Sequence, residues 1–131
     1  MKTRKQKTNK QKLIAENDRI WGLAVRKFDN HQCQWCKHDG KVQPGNQPHH
    51  IRRRGHKNTR WTVNNGVCLC LRCHSFRINQ EPVEYAEFIK AYLAEKNTTY
   101  EYLKALSGVI WKPTVKELET IKSNLEYLVE G

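Results

Sequence analysis

Apolar residues recur at helical spacing in four stretches of the chain. In residues 13–28 they fall three or four positions apart, which predicts an amphipathic helix. Further helices are predicted after Pro82, which suits the first turn of a helix, and over Thr99–Leu106. The last helix opens with Thr114 and Glu117, the pattern of a capping box, and then carries one apolar stripe. The stripe consists of Val115, Leu118, Ile121, Leu125 and Leu128.

The region between the first two helices is polar and rich in turn formers, including Asp39-Gly40 and Pro44-Gly45-Asn46. Short strands are predicted near His49–Ile51 and Gly66–Leu69. A long basic loop joins them, and a loop of more than about 12 residues is usually functional or disordered. The pattern as a whole predicts an α+β fold with a small sheet between helical ends.

Three segments follow from this pattern. Residues 1–12 contain six Lys or Arg and no apolar residue after Met1, so they are expected to form a disordered basic arm. Residues 13–80 are expected to form the core of the protein. Residues 81–131 form a helical C-terminal extension, which either packs on the core or offers its stripe to a second subunit.

Charge is distributed unevenly along the chain. Residues 1–80 contain 18 Lys or Arg against 4 Asp or Glu, whereas residues 81–131 contain 6 against 9. A basic front half favours a polyanionic partner, with nucleic acid as the first candidate, although a solvated basic surface without a specific partner has the same composition. No apolar run approaches the roughly 20 residues that span a membrane, and the N-terminus lacks the pattern of a secretory signal, so a cytoplasmic location is expected.

The cysteines indicate a metal site. The mean hydropathy of −0.87 is low, and such a chain benefits from a metal or a partner to hold its core. Cys33 and Cys36 form one Cys-x2-Cys hook, and Cys70 and Cys73 form another. Four thiolates in two such hooks complete a closed tetrahedral shell, which predicts a structural Zn²⁺. Cys68 remains as a core cysteine or an alternative ligand.

The histidines point to a second metal site inside the loop that the hooks close. His49 and His50 face opposite sides of the predicted strand, so that one could bind a divalent ion while the other activates water. His74 follows the second hook directly. Its spacing from His49 leads to the hypothesis that these two histidines bind a divalent ion.

The order His50, Asn65, His74, bracketed by the two hooks, resembles the HNH endonuclease family with its ββα-metal fold. The stretch "NNGVCLCLRCH" resembles the family's order of Asn, strand, second Cys hook and last His, and the resembling segment covers about residues 33–78. The resemblance implies a small ββα-metal core with a structural zinc, flanked by an N-terminal helix and C-terminal helices. Free-standing members of this size include phage and mobile-element nucleases.

The resemblance also implies a role for each motif residue. His50 matches the general base, and His49 and His74 match the side-chain ligands of the catalytic metal. Asn65 matches the residue that holds the base histidine in position. Ile78 stands where some members have a further histidine, so two protein ligands and a loosely bound Mg²⁺ or Mn²⁺ are expected.

The expected function is therefore metal-dependent hydrolysis of DNA phosphodiester bonds, by nicking or by double-strand cutting. A non-catalytic, zinc-containing nucleic-acid-binding module is the alternative. Other partners left open are a second copy of the chain, as a homodimer, and a phage packaging or recombination protein in the host cytoplasm. No membrane contact is expected.

The residues expected to contact DNA lie in the basic loop. They are Arg52, Arg53, Arg54, Lys57 and Arg60. Trp61, in the same loop, either stacks on a base or packs beneath the loop.

Overall fold

The computed structural model describes residues 6–131 and contains helices at both ends of a two-stranded antiparallel sheet. The part of the chain preceding the sheet forms two helices, α1 (Asn9–Phe28) and α2 (Gln34–His38). The strands are β1 (Gln47–His50) and β2 (Gly66–Leu69), and a short helix α3 (Lys57–Arg60) lies between them. The helices that follow the sheet are α4 (Ile78–Gln80), α5 (Pro82–Glu95), α6 (Tyr100–Ser107) and α7 (Val115–Glu130). The predicted α+β class is confirmed.

The first helix begins four residues earlier than predicted. Thr8 caps α1: its side chain accepts the N–H of Gln11, and the side-chain oxygen of Gln11 accepts the N–H of Thr8. The predicted disordered arm over residues 1–12 is therefore wrong for residues 9–12, which are helical. The prediction for residues 1–5 lies outside the described residues.

The two strands pair in one register, with His49 opposite Val67 and His50 opposite Gly66. The first strand begins and ends earlier than predicted. The N–H of Ile51 still donates to the carbonyl of Asn65 in register, but the N–H of Asn65 donates to Thr62 instead of returning the bond, and the ladder ends there. Every residue of β2 is buried. A buried strand of this kind packs on both faces, which explains its continuous apolar sequence.

Two apolar clusters form the core of the described chain. One joins the cysteine hooks to α5 and α6 through Trp35, Val67, Phe88 and Leu103. The other joins α1 to α7, where Leu118 and Leu125 pack with Trp21. The extension therefore packs within the chain along part of its stripe, whereas Val115 and Leu128 stay exposed.

A buried charged group connects α1, β2 and α5. The Asp29 carboxylate accepts hydrogen bonds from the Cys68 N–H and the Tyr92 hydroxyl, each at 2.8 Å. Burial raises the pKa of Asp29 and lowers the pKa of the nearby Lys96 to about 8. The Lys96 ammonium donates to the carbonyl of Gly66 at 3.2 Å, so Asp29 and Lys96 both bind backbone groups of β2. Sequence reasoning missed this group because its members lie far apart along the chain.

Candidate metal and nuclease site

The four hook cysteines converge on one point. Their Sγ atoms all lie within 4.8 Å of one another, and Cys36 Sγ lies 3.9 Å from Cys70 Sγ and 3.8 Å from Cys73 Sγ. A tetrahedral zinc–thiolate shell with Zn–S bonds of about 2.3 Å places its sulfurs about 3.8 Å apart. The donor set and its spacing therefore fit a structural zinc.

Local geometry explains how each hook turns its sulfurs inward. Cys33 is the N-cap of α2, and its Sγ accepts the backbone N–H of Cys36 at 3.5 Å. The second hook leads into a π-helical turn over Cys73–Arg77. Burial raises the pKa of the Cys36 thiol to about 11, so a thiolate there depends on a cation beside it.

Arg77 supports this cluster and was not identified from the sequence. Its guanidinium lies 3.9 Å above the Trp35 ring and donates to Cys73 Sγ at 3.9 Å. It also pairs with Asp39 at 2.6 Å. The signal that could have found it is its position one helical turn after Cys73, on the same helix face.

Cys68 is separate from the cluster. It is fully buried and does not belong to the group of four converging thiols. Its backbone N–H binds Asp29, which fixes the strand there. Of the two alternatives that the sequence left open, the core cysteine is the one observed.

His49 and His74 lie side by side. Their ring centroids are 5.4 Å apart in an edge-to-face arrangement. This separation allows both rings to reach one ion at metal–nitrogen distances of about 2.1 Å. Burial, followed by the proximity of His74, lowers the pKa of His49 to about 4, so the imidazole is neutral near pH 7 and has a lone pair for a cation.

His50 projects from the opposite face of β1. Its ring stacks on Trp21 of α1 with centroids 3.7 Å apart and planes within 9° of parallel. Its Nε2 lies 2.9 Å from the carbonyl oxygen of Arg60. Because a carbonyl only accepts, Nε2 carries the proton, and Nδ1 is the basic nitrogen of the neutral ring. Burial lowers the pKa of His50 as well.

Asn65 closes the basic loop onto itself. Its Oδ1 accepts the N–H of Arg52 at 2.7 Å, and its Nδ2 donates to the Arg52 carbonyl at 3.0 Å. The side chain is fully buried, and the residue lies directly before β2. Asn65 thus fixes the backbone two residues after His50, whereas the adjacent Asn64 is exposed.

The predicted DNA-contacting residues divide into two groups. Arg60 makes a two-point ion pair with Asp18, and Arg52 donates to Ser107 and Tyr100. Arg53 and Arg54 are exposed, and Lys57 is half-buried. The free cationic surface of the loop therefore centres on Arg53 and Arg54.

Trp61 packs beneath the loop. It is 6% exposed, and its Nε1–H donates to Asp18 at 2.9 Å. Packing, rather than stacking on a base, is therefore the role that its position allows.

The chain was compared with protein-family models, curated proteins and solved structures, and none of these comparisons found a match. Among the described helices, none is both long and apolar enough to cross a membrane.

Proposed function

We propose that this protein is a metal-dependent, HNH-type endonuclease that hydrolyses phosphodiester bonds in DNA. The observation that carries the proposal is the edge-to-face pair of His49 and His74, which joins β1 to the helical turn after β2. The order strand, loop, strand, helix around that pair is the order that the HNH resemblance implies. The zinc-compatible thiol cluster at the base of the same helical turn supports it.

Hydrolysis requires a base for the attacking water. In the proposed reaction His50 Nδ1 accepts the proton of that water, while the Arg60 carbonyl holds Nε2–H and so selects the tautomer. The stack on Trp21 fixes the plane of the ring. A positioned base contributes about 10²–10⁴ in rate.

The remaining requirement is to neutralise charge on the phosphate. A divalent ion on His49 and His74, with Mg²⁺ or Mn²⁺ as the proposed species, supplies this and stabilises the leaving oxygen when bound. Arg53 and Arg54 are exposed on the loop that begins directly after β1, where they can contact flanking phosphates.

The test is incubation of supercoiled plasmid with the zinc-loaded protein and Mg²⁺ or Mn²⁺, with EDTA added in parallel. We expect metal-dependent nicked or linear DNA from the wild type and from His38→Ala, whose histidine is exposed on α2. We expect a loss of about 10²-fold or more in His50→Ala.

If neither metal yields product, or if His50→Ala cuts as fast as the wild type, the nuclease proposal is wrong. Salt-sensitive DNA binding that persists in that variant would then support a non-catalytic nucleic-acid-binding module.

A further inference from the structure

Tyr85 contacts the histidine pair from outside the strand–loop–strand–helix segment. It lies in the first turn of α5, and its hydroxyl oxygen is 2.8 Å from His49 Nε2. Its ring also packs against Trp35, inside the first cysteine hook, with centroids 5.7 Å apart. The hydroxyl is therefore placed by the packing of α5 on the thiol cluster.

The position of this hydroxyl restricts how His49 can bind an ion. A neutral imidazole has one N–H and one lone pair, and a tyrosine hydroxyl can either donate or accept. If Tyr85 donates to Nε2, the proton of His49 is on Nδ1 and neither nitrogen is left for a cation. If Tyr85 accepts the Nε2–H, the lone pair of Nδ1 stays available.

We propose that Tyr85 is a positioning residue that accepts the Nε2–H of His49 and thereby makes Nδ1 the nitrogen that binds the divalent ion. This inference rests on the proposed function, because it assigns the ligand atom of the same metal site. Ligating histidines commonly donate their second N–H to a fixed oxygen, which sets both the tautomer and the ring orientation.

The packing of α5 supports a fixed role for this oxygen. Phe88 and Leu93 anchor the helix in the apolar core, with 1% and 0% of their surfaces exposed. Tyr85 itself is half-buried. A phenol held in this way limits rotation of the His49 ring, which a solvent molecule at the same place would not do.

The first measurement is Mn²⁺ affinity, from the electron paramagnetic resonance signal of free Mn²⁺ during titration of the zinc-loaded protein. Tyr85→Phe removes one oxygen atom and should weaken Mn²⁺ binding about 10- to 100-fold. Tyr127→Phe is the matched control, since Tyr127 is 76% exposed on α7, and it should bind as the wild type does. Circular dichroism of each variant checks that the fold is retained.

The second measurement needs no substitution at Tyr85. Long-range ¹H–¹⁵N spectra of labelled wild-type protein, with Zn²⁺ added to the histidine site, report which nitrogen of His49 is coordinated. We expect coordination at Nδ1 and a proton on Nε2. Coordination through Nε2, or unchanged Mn²⁺ affinity in folded Tyr85→Phe, overturns the inference.

His74→Ala separates this failure from that of the proposed function. If the wild type and His74→Ala bind Mn²⁺ equally, the metal site itself is wrong and the inference falls with it. If His74→Ala loses binding and Tyr85→Phe does not, only the role of Tyr85 is wrong.

Discussion

The Asn65 side chain binds both the N–H and the carbonyl of Arg52. It thereby links the two ends of the basic loop. Asn65→Ala leaves the N–H and carbonyl of Arg52 without these partners. We expect it to lower the free energy of unfolding by about 2–4 kcal/mol, measured by urea denaturation. DNA cleavage should fall as well, because the backbone next to His50 is no longer held.

Asn64→Ala provides the control at the neighbouring position. Asn64 is exposed, so its removal should change stability by less than about 0.5 kcal/mol. Equal losses in the two variants would mean that the amide of Asn65 does not stabilise the loop.

The pH dependence of cleavage should reflect the environment of His50. Burial lowers its pKa from the ordinary value of 6.5. A base must be unprotonated, so the rate should fall as the pH drops through this lowered pKa, and not at 6.5 or above. The measurement is kcat/KM between pH 4.5 and 8 at saturating Mg²⁺. An acidic limb centred above pH 6.5 would contradict the burial that the structure shows.

For single residues, the sequence predicted those site members that form a motif with a fixed local spacing. The two cysteine hooks could be read directly, and their convergence is confirmed. Trp21, Arg77 and Tyr85 could not be found as site neighbours, because each reaches its partner through the packing of separate elements. Likewise, no sequence pattern indicated that Arg60 pairs with Asp18, 42 positions earlier.

Between elements, α1 approaches β2 closely at Gly66. A Cβ there would lie 2.7 Å from the Trp21 ring and would also collide with Val25. Gly66→Ala should therefore destabilise the protein by about 1–3 kcal/mol and displace the indole that stacks on His50. Thermal unfolding and cleavage rate should both report the change.

Gly55→Ala is the matched substitution. A Cβ at Gly55 meets nothing within 4 Å, and this glycine lies in the basic loop between the two strands. Its stability should stay within about 0.5 kcal/mol of the wild type. If Gly66→Ala is equally silent, α1 can move away from the sheet without cost.

Several element boundaries were predicted correctly from local chemistry. The strand Gly66–Leu69, the start of α5 at Pro82 and the capping box of Thr114 and Glu117 are confirmed. The start of α1 was missed, because its first turn, residues 9–12, is wholly polar and shows no apolar periodicity. The short helices α2 and α3 were missed as well, since helices of this length depend on tertiary packing rather than propensity.

For the molecule as a whole, the thiol cluster connects the segment before the sheet with the segment after it. We expect one zinc per chain by elemental analysis of purified wild-type protein. Cys36→Ser should lose most of this zinc and unfold at a markedly lower temperature, because binding of the metal contributes directly to folding.

Cys68→Ser separates zinc ligation from cysteine burial. Cys68 is buried but lies outside the cluster, so this variant should keep its zinc even if it loses stability. Loss of zinc from Cys68→Ser, or its retention in Cys36→Ser, would contradict the ligand assignment.

The proposed binding of DNA should depend on salt, because the basic residues would contact phosphates. A double variant, Arg53→Ala with Arg54→Ala, should weaken binding and reduce the slope of log K against log salt by about 1–2. Its stability should be unchanged, since both residues are exposed. Arg60→Ala is the contrasting variant: it breaks the pair with Asp18, so its main effect should be on unfolding. Fluorescence anisotropy of labelled DNA at several salt concentrations measures both.

Because His50 stacks on Trp21, the fluorescence of Trp21 should report the protonation state of His50. A charged imidazolium in van der Waals contact with an indole accepts an electron from its excited state, whereas a neutral imidazole does so poorly. Emission from Trp21 should therefore dim as His50 gains a proton and brighten as it loses one. The protonation state of the proposed base can thus be followed in the intact protein without DNA, and Trp21→Phe identifies the contribution of this one indole.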